Sequence, residues 1–192
     1  MKQFNYFKFS VFALAMNGFA AMAQDTNVDK HTIDIKIPEV AILDLETTGK
    51  SSAISLAAEA PKEAGNALDF TNAVNTEIWI NYSSIIGSKT EPSREVTVQI
   101  TSGDVPSGME ISVEAAKDAG LGEGTVGSPA GVLSLSTSAQ KIITGVGSAY
   151  TGDGAKSGHN LTYKLKAASG AYGDIDFDQS GSITVTYTLS DN

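Results

Sequence analysis

GHNLTYKL (Gly158–Leu165) and GSITVTYTL (Gly181–Leu189) decide the fold class. In the first, Leu161, Tyr163 and Leu165 alternate with polar residues. In the second, Ile183, Val185, Tyr187 and Leu189 alternate with serine and threonines. That period of two is the signature of a strand with one buried face, and the sequence reads as arranged around these two segments.

Working outward, the same period recurs in EIWINYSSI (Glu77–Ile85), REVTVQIT (Arg94–Thr101) and MEISV (Met109–Val113). Short connections between these three predict a meander. Val132–Ser136 and Gln140–Ile143 add two short strands, and Ala119–Gly131 and Gly145–Gly158 read as Gly-rich loops. Toward the N-terminus, Thr32–Ile37 places Ile33, Ile35 and Ile37 at alternate positions and is stopped by Pro38. Val40–Leu45 reads as a strand that follows it or continues it across a kink. Ser52–Ala58 reads as a weaker strand, and Ala57–Ala67 as a loop or single helical turn ended by Gly65-Asn66. Trp79, the sole tryptophan, reads as a packing residue. Nine or ten short strands without a crossover helix predict an all-β fold, a single antiparallel β-sandwich of immunoglobulin-like or pilin-like type.

Residues 1–23 have the pattern of a cleaved secretory leader: Lys2 and Lys8, an apolar run over Phe9–Phe19, then Ala21-Met22-Ala23. The run is too short to span about 30 Å of hydrocarbon. The expected mature chain, residues 24–192, is then one domain without a transmembrane segment, exported to the periplasm, cell surface or medium. Its formal charge is two units more negative than the −9 of the whole chain, which disfavours nucleic acid and anionic membrane as partners. With Arg94 the single arginine, no phosphate-reading patch is available. The chain has no cysteine, so it has no disulfide, no thiol nucleophile and no lipoprotein attachment point.

DFDQSGSI (Asp176–Ile183) matches the first eight positions of a calcium loop: Asp176, Asp178 and Ser180 as oxygen ligands, Gly181 at the turn, with Asp174 just upstream. Position twelve is Tyr187 where an EF-hand needs glutamate, which rejects an EF-hand proper. Two readings stand, a calcium site on a β-loop and an acidic turn without metal. Gly122–Gly127 fits G-x-G-x-x-G but lacks the preceding parallel strand and following helix of a dinucleotide site. Gly147–Ser157 is similar to a phosphate loop, with Ala155 displacing the required lysine. Only His31 and His159 are available for acid–base work. His159, close in sequence to Asp153, is the one candidate base for a small hydrolase, without a nucleophile turn beside it.

Across Glu77–Ile85, Thr151–Tyr163 and Asp176–Leu189 the chain resembles a group of small exported bacterial β proteins of uncharacterised function. Its layout of leader, alternating strands, Gly-rich loops and a C-terminal V-T-Y-T strand is also similar to secreted pilin-like and spore-coat-U-like subunits. That resemblance implies assembly by β-augmentation, an extended segment of one subunit completing the sheet of the next. Ile33, Ile35 and Ile37 suit such a donor strand; the other reading makes them the first strand of their own domain. The absence of cysteine departs from the disulfide common in those subunits. The expected function is therefore an exported, non-enzymatic structural or adhesive surface protein, fimbria-like or coat-like, with a protein partner or its own copies and no cofactor. The alternative is an extracellular ligand-binding module for glycans, dependent on Ca²⁺ at Asp174, Asp176, Asp178 and Ser180.

Overall fold

β-branched and aromatic residues at alternate positions form nine strands in the computed structural model, which describes residues 27–191. The chain divides into two units, Met1–Lys36 and Ile37–Asn192. The expected leader, residues 1–23, lies outside the described residues. In the first unit residues 27–36 form no strand, and Ile33 and Ile35 are exposed. Ile37, which opens the second unit, is exposed as well. Thr32–Ile37 is thus not the paired strand that one reading of the alternation required.

The second unit holds β1 (Val40–Thr47), β2 (Val74–Ile85), β3 (Arg94–Ser102), β4 (Met109–Ala115), β5 (Glu123–Pro129), β6 (Leu133–Ser134), β7 (Gln140–Tyr150), β8 (His159–Ala167) and β9 (Thr184–Asp191). One 3₁₀ turn, Tyr172–Asp174, precedes β9. The fold is all-β, and every strand pairing is antiparallel.

Hydrogen bonds connect the nine strands into one branched sheet. β2 pairs with β1 along one side; along the other it pairs first with β8, as far as Ile80, and then with β7 at Ser83 and Ser84. That change of partner makes a corner. On one side of it lies the wing β6-β4-β8-β2-β1, on the other β5-β7-β3-β9. Register aligns the apolar positions within each wing: Leu45 faces Ile80, Leu161 faces Ile78, and Val113 faces Tyr163. In the second wing Val96 faces Leu189 and Val98 faces Tyr187. Ile78, Ile80 and Leu161 of the first wing and Val96, Val98, Ile143 and Val146 of the second form one buried cluster. The Tyr163 and Tyr187 hydroxyls meet at 2.7 Å across it, so the apolar faces of the wings oppose each other as a sandwich.

Three expectations are corrected, and the two segments around which the sequence reads as arranged, in β8 and β9, are not neighbours. Glu77–Ile85, Arg94–Thr101 and Met109–Val113 lie in β2, β3 and β4, which are not neighbours, so there is no meander. β8 and β9 belong to different wings and meet only through side chains. Ser52–Ala58 forms no ladder. Both Gly-rich loops contain strand: β5 lies within Ala119–Gly131, and β7 continues to Tyr150. Gly124 shows why glycine misled. At φ +94 a Cβ would run into the Ser148 carbonyl of β7, so its smallness serves strand pairing and not a flexible loop. In β7, Ile142 is the extra residue of a bulge opposite Val96 and Thr97, which lets Ile142 and Ile143 both be buried.

Candidate functional site

At one end of the sandwich the core is open. A cavity of about 570 Å³ lies between the wings where β1 finishes and β9 begins. Leu45, Ile78, Ile111, Tyr163 and Leu165 of the first wing, Val185 of β9 and Ile183 just before it line it. Leu45, Ile111, Ile183 and Val185 are only half-buried although they pack on the core. The segment 52–58 lies in this opening. Ile54, Leu56 and Ala58 are half-buried at alternate positions while Ala53, Ser55 and Ala57 are exposed. It has the alternation of a strand without a strand's partners. Burial raises the Tyr163 phenol above its ordinary range. It raises Tyr187 as well, reinforced by Tyr163 beside it. The pair therefore stays protonated and hydrogen-bonded, and Tyr163 lines the opening.

The other end is closed. Arg94, the first residue of β3, is 1% exposed beside the β2–β7 corner. Its Nη1 donates to the Val40 carbonyl at 2.5 Å and to the Ile85 carbonyl at 3.0 Å. Nη2 donates to Glu39 at 2.5 Å and Glu91 at 3.0 Å, and Nε to Asp191 at 2.8 Å. One guanidinium thus ties the start of β1 to the end of β9. Glu39, Glu91 and Asp191 form the one group of three metal-ligating side chains, among the described residues, whose ligand atoms lie within 4.8 Å of one another. Arg94 already serves as their counter-ion. Loss of solvation and the neighbouring Asp191 and Glu39 carboxylates hold Glu91 above its ordinary range, which Arg94 partly offsets.

The acidic loop forms the rim of the cavity. Asp174 ends the 3₁₀ turn, the Asp176 carboxylate accepts the Asp178 N–H at 3.0 Å, and Asp176 and Ser180 line the mouth. All four residues, Asp174, Asp176, Asp178 and Ser180, are exposed, and the three carboxylates do not converge on a common point within 4.8 Å. Phe177, 96% exposed between them, is an aromatic that the loop's reading as a metal motif passed over.

His159 is fully buried. Nε2 meets the Tyr82 hydroxyl at 2.8 Å and Nδ1 the Ala116 carbonyl at 2.9 Å, with the Tyr82 ring stacked on the imidazole. Burial, together with Asp118, raises the Tyr82 phenol. Asp153, the expected neighbour of His159, is exposed. Trp79 is half-buried on β2. Among the described residues no helix is long and apolar enough to cross a membrane.

Comparison with protein-family models and with curated proteins finds no match. The chain's own geometry therefore carries the functional reading.

Proposed function

We propose that this chain is an exported, non-enzymatic structural subunit of the cell surface, fimbria-like or coat-like, which joins copies of itself by strand addition. Residues 25–37 act as the donor arm. The observation that carries this reading is the state of Ile33, Ile35 and Ile37: strand alternation at residues that lie in no strand, at 71%, 81% and 77% exposure. Each isoleucine fully buried from water gains about 1.5–3 kcal/mol, so three aligned on one face of an arm form an adhesive edge. Export rests on the leader pattern of residues 1–23, which also gives the arm a free start after cleavage.

The test is light scattering after size-exclusion chromatography on Gln24–Asn192 beside the same protein lacking Gln24–Ile37. The full mature chain is expected to form oligomers and the shortened one a folded monomer. If the full chain is a monomer and the shortened one unfolds, the isoleucines belong to their own domain and the reading fails. The alternative, calcium-dependent glycan binding, has the acidic residues at the cavity mouth and exposed Phe177 in its favour. It predicts a rise in melting temperature on adding Ca²⁺.

A further inference from the structure

Among the described residues four strands are paired on one side only: β1 with β2, β5 with β7, β6 with β4 and β9 with β3. Natural edges are protected against adding another strand by shortness, charge, proline or bulges. β6 has two residues. β5 carries Pro129 and two glycines at positive φ, Gly124 and Gly127, with a register shift beside the first. β1 carries Asp44 and Glu46 on the face away from the core. β9 carries no charge and no proline between Thr184 and Leu189, and the one register shift of its ladder lies at its start, where Val185 and Thr184 face Ile100 and Ser102. Its outer face is Thr184, Thr186 and Thr188, its inner face Val185, Tyr187 and Leu189, and it pairs with β3 residue for residue from Arg94 to Ile100.

That one unguarded edge borders the open end of the core. Its start lies beside the 52–58 segment, which fills the opening with Ile54 and Leu56 and forms no ladder with β1 or β9. A strand taking its place would lose no sheet hydrogen bonds and would gain those of the β9 edge. Residues 32–37 have the matching design: three isoleucines at alternate positions, against Ile54, Leu56 and Ala58 in the segment they would replace. At about 3.3 Å per residue the six span about 20 Å, comparable with the Thr184–Leu189 edge.

We propose that the β9 edge and the adjoining cavity are the acceptor for residues 32–37 of a second copy of this chain, and that residues 52–58 are a resident plug displaced by that arm. The inference rests on the strand-addition reading above and names its acceptor. Ile33, Ile35 and Ile37 enter the core, and Thr32, Asp34 and Lys36 align with the outer threonines of β9. Before assembly the plug covers the opening; after it, the chain has a strand beyond β9.

The absence of native cysteine allows a direct test on the mature chain, residues 24–192. Neighbouring strands bring facing Cα atoms within disulfide range. Asp34→Cys protein is mixed with Thr184→Cys, Thr186→Cys or Thr188→Cys protein and oxidised; Thr125→Cys on β5 serves as the control edge. The expected result is an interchain disulfide with at least one β9 position and none with Thr125→Cys. Without engineered cysteines, the Ile54→Ser/Leu56→Ser chain is expected to assemble several-fold faster than the unaltered one, because its plug holds the core less well. Oligomers that cross-link through β5 and not β9 overturn the acceptor and leave strand addition standing. An Asp34→Cys/Thr186→Cys chain that closes on itself as a monomer overturns the second copy as occupant. A plug variant that assembles no faster overturns the role of residues 52–58. A mature chain that stays monomeric at every concentration overturns this proposal together with the reading beneath it.

Discussion

The two ends of the sandwich solve the same problem differently. At the corner, β2 passes from β8 to β7, Arg94 binds β1 and β9 together, and Tyr82 and His159 are sealed between the wings. At the opposite end β1 and β9 share no ladder, and the gap is filled by a segment with two large apolar side chains. Backbone pairing of β2 with β7 joins the wings where the fold is closed, and half-buried apolar residues line the end where it is open. Truncations at the closed end are therefore expected to cost more than truncations at the open one.

The largest contrast is expected from truncating one apolar residue at each end. Tyr82→Ala removes a buried ring and the Val126 and His159 contacts of its hydroxyl, at a cost of about 4 kcal/mol. Leu56→Ala, in the half-buried plug, costs about 1 kcal/mol. Urea midpoints of the two variants measure the difference, and equal midpoints would erase the distinction between the ends. Arg94→Gln comes next. It leaves Glu39, Glu91 and Asp191 without their counter-ion and the Val40 carbonyl without its guanidinium donor, at about 3 kcal/mol. Faster hydrogen exchange near Val40 and Asp191 would locate the loss at the tied end.

Gly158→Ala is smaller, at about 2 kcal/mol. Gly158 has φ +66, and a Cβ there would press on the Ile80 carbonyl where β8 enters beside β2. Thermal melting measures it, and an unchanged melting temperature would mean that the entrance to β8 has more room than the packing shows. The smallest effect is electrostatic, on the outer face of β4. The Ser134 hydroxyl, with help from Lys166, holds the Glu110 carboxyl below its ordinary value of 4.5. A depressed carboxylate stabilises the fold above the unfolded value, and that contribution is lost as pH falls through the folded one. Melting curves of Glu110→Gln and the unaltered chain should therefore differ most near neutrality and converge under acid. A gap that widened with acid would reverse the assignment.

The strands whose side chains alternate cleanly were legible from residue types alone. Val40–Leu45, Glu77–Ile85, Arg94–Thr101, Met109–Val113, Gly158–Leu165 and Gly181–Leu189 all fall within or largely within strands. β5 and the second half of β7 were hidden by their glycines; those of β5, Gly124 and Gly127, meet the backbone of β7, and local sequence does not show that neighbour. Ser52–Ala58 and Thr32–Ile37 show the opposite error. Both have a strand's pattern, yet neither has a strand's partner. Nothing in the sequence around Arg94 reveals that three carboxylates, from Glu39 to Asp191, converge on it.

Side-chain period, composition and the lack of cysteine by themselves determined an all-β chain that relies on packing and strand pairing. These are local properties, set by which face of each segment is apolar. Tertiary structure alone decided which strands are neighbours, that β9 is an unguarded edge, and that the core opens where β1 ends. Strand pairing joins residues distant in sequence through backbone groups common to every residue type, so it leaves little trace in the residues themselves.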